Sequence, residues 1–480
     1  SIQAALEWVH THRDEAARMG KKGAEFIANM SWTSVAKKLL EAGYANEYKP
    51  VLQRETRVTV LDMQPIDPPV GGGRLRLLGL YHALGENIRC TYIGSYDWPG
   101  ESYRRHHLTE TLEEIDIPLS AVHHTAAREL SYKIGGKSVI DIAFSRQGSL
   151  SPEYIDAARA NMREADIVVF SHPWVYPLVK HDISPNQTIV YDSQNVEGFL
   201  RAQLLDDANL DEAKLLKDLV DDELKLCQRA DLILTCSQED LELFNRIYRI
   251  SAEKMRVIPN GVMSLEHKCP SADERLAAKR QFGLDRISLI AFFIGSAYGP
   301  NVEAANFIAY ELAPAMGDVF FVIGGGVGTQ VSSDQSNVLV TGPLSDYQRK
   351  LWLTAADIAV NPMFSGSGTN IKMFDFMAMG LPVVTTDVGV RGIETGGRKA
   401  MVVIAPVVEE FVCALRGLFD PIKRTRMGEE ARACIERSYA WEQISPDAGM
   451  LFKARHRYAN SQPPLFSVVI DAKYAIEQLN

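Results

Sequence analysis

The sequence predicts two parallel α/β domains that face each other across a cleft. Three observations predict it: the length, the alternation of apolar strand-like runs with amphipathic helical stretches, and a turn-forming join near the middle. At 480 residues the chain exceeds what one hydrophobic core usually supports, so two domains plus appendages are expected. The first series of apolar runs spans 57–62, 88–93, 165–171, 187–192 and 230–237. The last three end in polar residues, and in open parallel sheets ligands gather beyond the carboxyl ends of strands. Ser171, His172, Asp192, Ser193, Gln194, Cys236 and Ser237 are therefore candidate cleft positions. The join follows at Ile258-Pro-Asn-Gly-Val262, where Pro-Asn-Gly forces a turn, and a polar stretch runs over 266–274. A second series then runs 287–295, 319–324, 338–341, 357–362, 382–386 and 400–404. The plan is a first Rossmann-like domain over 55–262, a second over 263–440, and a closing helix with linker over 441–480. An internal echo accounts for the rest: Arg18-Met19-Gly20 precedes Ser31-Trp32 much as Arg426-Met427-Gly428 precedes Ala440-Trp441. Residues 1–48 thus resemble the closing helices of another copy of the same domain type.

Composition narrows the class of function. The chain is 46% apolar and 23% charged, with a net charge of −10. No apolar run approaches the roughly 18 residues that a bilayer crossing needs. A net acidic chain is a poor default binder of nucleic acid, and the compact basic cluster Arg104-Arg105-His106-His107 is too short to track a phosphate backbone. It reads as a solvated loop, or as a contact for an acidic acceptor or lipid headgroup. The six cysteines form no C-x-x-C pair and sit with no clustered histidine, which predicts neither a zinc site nor a disulfide framework and fits a reducing cytosol. The start at Ser1, without a Met or a signal-peptide pattern, predicts a processed or excised piece.

The chemistry is carried by the stretch from Asn361 to Gly380. A strand ends near Pro362, and a loop of small residues, Gly366, Ser367, Gly368, Thr369 and Asn370, leads into a helical pattern. A glycine-rich loop entering a helix offers unpaired backbone N–H groups to an anion, and small side chains allow a diphosphate close approach. Lys372 adds a full charge, and Asp375, one turn beyond Ile371, is placed to accept hydrogen bonds from ribose hydroxyls. A plain strand-to-helix turn gives the same pattern when such a loop stands alone.

It does not stand alone. Gly366-Ser-Gly-Thr-Asn-Ile-Lys372, Asp375-Phe-Met-Ala-Met-Gly-Leu-Pro-Val-Val-Thr-Thr386 and Gly389-Val-Arg-Gly-Ile393 resemble the donor-site signature of retaining GT-B glycosyltransferases of family four, the glycosyl transferases group 1. The resemblance extends to Val190-Tyr-Asp-Ser-Gln-Asn-Val-Glu197, to Ile258-Pro-Asn-Gly-Val262, and to Gly295-Ser296 followed by Pro300-Asn301-Val-Glu-Ala304, in order over residues 57 to 456. It implies the GT-B fold and a metal-independent transfer, with retention, of a sugar from a UDP, GDP or dTDP donor to a glycan or lipid-linked acceptor. It implies no other cofactor. By family analogy the role is cell-surface polysaccharide or lipopolysaccharide assembly in the cytoplasm, peripheral to the inner face of the plasma membrane. Pro464-Leu-Phe-Ser-Val-Val-Ile470 resembles the opening of a GT-A transferase domain, so both ends point to tandem transferase modules in one polypeptide.

The resemblance assigns roles residue by residue. Lys372 neutralises the leaving diphosphate. Asp375 stands at the second acid of the two-carboxylate donor motif and meets the ribose, while Ser367 replaces the first Glu. Gly366, Gly368, Thr369, Asn370, Gly295, Ser296, Gly342 and Arg391 complete the donor side. The segment from Gly295 to Asn301 lacks the basic pair that many members carry, so the pyrophosphate depends on Lys372, loop amides and Arg391. His172 resembles the family histidine that faces the transferred sugar. Gly72, Gly73 and Arg74, in a loop that opens a helix near Leu75, fall on the acceptor side with Gln194 and Asn195, Gln194 standing where relatives often have His. The missing charges leave a second reading, a catalytically inactive scaffold that binds a nucleotide or a partner transferase. A GT-B-shaped epimerase needs paired acid and base groups that are not evident. A nicotinamide oxidoreductase is disfavoured, because Gly324-Gly-Gly-Val-Gly328 lacks the G-x-G-x-x-G spacing.

Overall fold

The computed structural model describes residues 8–28, 54–366, 368–394 and 399–460. They fall into two compact units, Ser1–Arg54 and Glu55–Asn480. In the first unit, helix α1 (Arg13–Ala28) carries Asp14 and Glu15 in its first turn, where the helix dipole favours acids. Ser31-Trp32, one mark of the internal echo, and the strand-like 464–470 lie outside the described residues.

The second unit is built on two sheets. The first has eight strands in the order β3-β4-β2-β1-β5-β6-β7-β8. These are β1 (Thr56–Leu61), β2 (Ile88–Gly94), β3 (Arg104–His107), β4 (Leu112–Asp116), β5 (Ile167–Phe170), β6 (Thr188–Asp192), β7 (Leu232–Thr235) and β8 (Met255–Val257). All pairs are parallel except β3 with β4. The second sheet has six parallel strands in the order β11-β10-β9-β12-β13-β14. They are β9 (Ile290–Ile294), β10 (Phe320–Gly324), β11 (Val338–Gly342), β12 (Ile358–Asn361), β13 (Val383–Thr385) and β14 (Met401–Val403). The chain reverses its winding direction after β2/β4 in one sheet and after β11 in the other, the doubly wound order that opens a crevice at the strands' carboxyl ends.

Helices cover both faces of each sheet, so the strands are apolar on both sides rather than alternating. In β9, Phe292 packs into one core cluster while Ala291 and Phe293 pack into the opposite one. In β1, Val58 and Val60 join one cluster and Leu61 the other. Ser and Asn caps start the covering helices, with full capping boxes at Ser271/Glu274 and Ser345/Gln348.

Two chain crossings join the lobes side by side. Val262 N–H donates to Tyr439 C=O at 2.9 Å and Trp441 N–H donates to Val262 C=O at 3.0 Å. The long helix Trp441–Asn460 then packs on the first lobe, where Ser445 Oγ donates to Leu80 C=O at 2.7 Å and Lys453 Nζ to Glu86 C=O at 2.6 Å. A Cβ on Gly449 would stand 1.7 Å from Leu84 O, so this contact admits only glycine.

One expectation needs correction. The cluster Arg104 to His107 is neither a solvated loop nor a free anion contact but the antiparallel edge strand β3, and β4 supplies its counter-charges. Arg104 bridges Asp116 at 2.7 Å and Asp67 at 3.0 Å, Arg105 pairs with Glu113 at 2.7 Å, and His106 with the buried Glu114 at 2.7 Å. His106, Glu114 and Asp116 bring ligand atoms within 4.8 Å of one another, but Arg104 already provides the cation there.

Candidate active site

The loop between β12 and helix α2 (Lys372–Ala378) carries Gly366 and Gly368 at φ 128° and 69°, a conformation that glycine adopts without strain. Arg391 donates to Gly366 C=O at 2.7 Å, and Asn370 Nδ2 to Val388 C=O at 3.3 Å, so the 388–391 turn buttresses the loop. A Cβ on Gly392 would meet Thr369 Oγ1 at 2.5 Å, which packs the same turn against Thr369. Ser367 lies outside the described residues.

Lys372 opens α2 and turns towards the β9 end. Its Nζ donates to Asn301 Oδ1 at 2.7 Å, stands 4.4 Å over the Phe293 ring and lies 3.8 Å from Met363 Sδ. Asn301 in turn donates to Ser296 C=O and Oγ, both at 3.2 Å, tying the amine to the segment from Gly295 to Asn301 where no Arg or Lys occurs. Loss of water around the amine pushes its pKa down to about 7, and no carboxylate opposes that shift. An ammonium with an amide carbonyl and an aromatic face for company is short of one anion. Gly295 is held closely too: a Cβ there would sit 2.8 Å from Asn301 Cγ. Gly342, at φ 71°, ends β11 beside Gly328 of the neighbouring glycine-rich turn.

Asp375 stands one turn further along α2. Its Oδ2 accepts from Arg349 at 2.7 Å and its Oδ1 lies 3.3 Å from His267 Nε2. Burial lowers the pKa of His267, but the hydrogen bond and charge of Asp375 outweigh it and hold the imidazole above its usual value. A carboxylate oxygen accepts more than one hydrogen bond, so Asp375 keeps acceptor capacity with both partners in place.

Across the crevice the first lobe presents Gly72, Gly73 and Arg74 at the start of the helix Gly72–Tyr81. A Cβ on Gly72 would lie 3.2 Å from Ile371 Cγ1, and one on Gly368 would lie 3.2 Å from Asn195 Oδ1. A Cβ on Gly73 would fall 2.8 Å from Gln194 Oε1. The structure thus brings Gly72 and Asn195 against the small-residue loop and its continuation at Ile371, while Gly73 and Gln194 pack on each other within the first lobe. Gly72 and Gly368 permit this approach, since a Cβ at either would press on a side chain of the opposite lobe. Arg74 stacks over Trp98 at 5.2 Å and donates to Pro68 C=O.

His172 follows β5. Its Nδ1 lies 3.0 and 3.1 Å from the two oxygens of Asp62, and its ring stacks on Trp174 with centroids 4.2 Å apart. Asp192, by contrast, is not a cleft group. It is wholly buried, accepts from Arg76 at 2.7 Å and from Tyr81 at 2.9 Å, and Arg76 also reaches Ile258 C=O and Asn260 in the join between lobes. Asp62, Asn301, Arg349 and His267 escaped the sequence reading as site residues. Position at a strand's carboxyl end was the available signal for Asp62, and membership of the Pro300-Asn301 motif for Asn301; nothing local marks Arg349 or His267.

Residues 288–420 match the family model described as glycosyl transferases group 1. No curated protein sequence matches the chain. Among solved structures, it is similar to sucrose-phosphate synthase from Thermosynechococcus elongatus, with TM-score 0.64 and 16% identity over 85% of this chain and 100% of that one. It is similar to Anabaena HepE in complex with UDP and glucose, with TM-score 0.58 and 14% identity over 83% and 100% of the two chains. It is also similar to WaaG, a glycosyltransferase involved in lipopolysaccharide biosynthesis, with TM-score 0.55 and 16% identity over 82% and 99%.

Proposed function

From a chain that has the GT-B fold and is of the glycosyl transferases group 1 type over residues 288–420, we infer an enzyme that moves a sugar from a nucleotide donor to a glycan or lipid-linked acceptor. The observation that carries this is Lys372: a half-buried amine at the mouth of the small-residue loop, hydrogen-bonded by Asn301 and lacking an anionic partner among the described residues. Breaking the anomeric C–O bond puts negative charge on the departing diphosphate, and the enzyme's main task is preorganised stabilisation of that charge. Lys372 meets the diphosphate, assisted by the Gly368 and Thr369 amides, Asn370 and Arg391. It leans over the segment that lacks the basic pair and so stands in for it. Gly366, Ser367, Gly295, Ser296 and Gly342 shape the donor side, and Asp375 receives the ribose. His172 faces the sugar, with Gly72, Gly73, Arg74, Gln194 and Asn195 on the acceptor side.

Transfer proceeds with retention and without a metal, the acceptor attacking on the face from which the diphosphate departs and a phosphate oxygen taking its proton. UDP-type donors are favoured by the UDP bound to HepE, and a role in cell-surface polysaccharide or lipopolysaccharide assembly by the process in which WaaG takes part. The enzyme works in the cytoplasm and meets lipid-linked acceptors peripherally on this reading; among the described residues no helix is long and apolar enough to cross a membrane. The absence of Arg and Lys between Gly295 and Asn301 supports a second reading, an inactive scaffold that binds a nucleotide. Screening UDP-, GDP- and dTDP-sugars for binding and for transfer separates the two: the enzyme reading expects product, the scaffold reading binding without product. No binding of any nucleotide sugar would overturn both.

A further inference from the structure

We propose that Asp62 is a positioning residue for glycosyl transfer, holding the His172 ring so that Nε2 is presented to an oxygen of the transferred sugar. The proposal rests on the transferase reading and deepens it at one position. Asp62 closes β1 and is 1% exposed, and its two oxygens stand 3.0 and 3.1 Å from His172 Nδ1. The carboxylate is itself fixed, accepting from Met63 N–H at 2.8 Å and from Gln64 Nε2 at 3.4 Å. One face of the imidazole lies on Trp174 at an interplanar angle of 11°. Two contacts therefore set both the tilt and the spin of the ring, and Nε2 has no hydrogen-bond partner among the described residues.

An ionised carboxylate only accepts, so the proton facing Asp62 must be on Nδ1. That leaves Nε2 for the substrate, as an acceptor when the ring is neutral and as a donor when it is charged. Burial by itself favours the neutral ring, but the charge and hydrogen bond of Asp62, with smaller contributions from Glu197 after β6 and Asp141 in the loop ahead of Phe144, raise the pKa above its ordinary value. Asp62 thus does two things, fixing orientation and favouring the imidazolium, and substitution separates them. Asp62→Asn keeps an oxygen that accepts from Nδ1 but removes the charge, whereas Asp62→Ala removes both.

The test joins a titration to kinetics. In 15N-labelled protein, with His172 assigned by its loss in His172→Gln, the wild-type ring should titrate above 6.5, the ordinary value, and Asp62→Asn should lower it. With whichever of UDP-glucose, GDP-mannose and dTDP-glucose turns over fastest, Asp62→Ala should lower kcat by about 10- to 100-fold, as small misplacements of a reacting centre do, and by more than Asp62→Asn, which keeps the orienting acceptor. Asp62→Ala should leave UDP binding unchanged, and Asp62→Ala with His172→Gln should be no worse than His172→Gln alone. A wild-type His172 titrating below 6.5, an unmoved titration in Asp62→Asn, an unchanged kcat in Asp62→Ala, or losses that multiply in the double variant would each overturn the proposal. If the Asp62 variants do not fold, the wild-type titration carries the test, since a His172 ring titrating below 6.5 would overturn the pairing by itself. Wild-type protein without turnover on any donor would overturn the transferase reading and the role in transfer together, whereas a failed titration overturns the pairing alone.

Discussion

Burial pushes the Lys372 amine down to about 7, and this fixes how donor binding depends on pH. A diphosphate beside the amine raises its pKa again, so above pH 7 binding must take up a proton. Donor affinity is expected to weaken as pH rises from about 7 towards 9, by up to about tenfold per unit, and this slope should vanish in Lys372→Met. Calorimetric titration in buffers of different ionisation enthalpy reads the proton directly. Stability runs the other way. A lysine whose folded pKa lies below its unfolded value of 10.5 opposes folding fully below pH 7, and that penalty fades as pH climbs from 7 to 10.5. Lys372→Met should therefore melt higher than wild type at pH 6 without nucleotide, with the gap closing by pH 10. Asp192 gives the opposite pattern: Asp192→Ala strands a wholly buried Arg76 and should cost about 3–5 kcal/mol in chemical denaturation, of which Arg76→Met in the same chain recovers a large part.

At the level of elements, what could be read in the sequence was what is decided locally. Eleven strand-like runs, from 57–62 to 400–404, fall on strands because parallel strands buried on both faces are continuously apolar and stand out against their helices. The small-residue loop before α2 was legible for the same reason, since its glycines and Lys372 are consecutive. Strand β3 was not. Its residues are Arg-Arg-His-His, and they form a strand only because Glu113, Glu114 and Asp116 pair across from them on β4. Three-residue β8 is too short to leave a pattern. The His172 contact with Asp62 spans 110 positions, and only the adjacency of β1 and β5 creates it. Packing between elements is equally demanding at Gly428 in the helix Pro421–Ser438, where a Cβ would stand 2.1 Å from Gly380 O. Gly428→Ala is expected to cost about 1–3 kcal/mol, seen as a lower denaturation midpoint, because backbone rather than a flexible side chain must move.

For the whole molecule, two sheets of the same winding meet at their carboxyl ends, and the chain crosses between them at Val262 and Tyr439–Trp441 before its long last helix returns to the first lobe. Approach between the lobes is set by glycines: Gly72 lies against Ile371 and Gly368 against Asn195. A side chain at either place should hold the crevice open. Gly72→Val is thus predicted to lower transfer while leaving nucleotide binding to the second lobe largely intact, which equilibrium binding alongside turnover distinguishes. All of this depends on a diphosphate sitting where Lys372 points. The most direct check is a titration of UDP and UDP-glucose into wild type and Lys372→Ala, with circular dichroism to verify the fold. Saturable binding that weakens by at least tenfold in the variant is the predicted result, and equal affinity in the two proteins would contradict it.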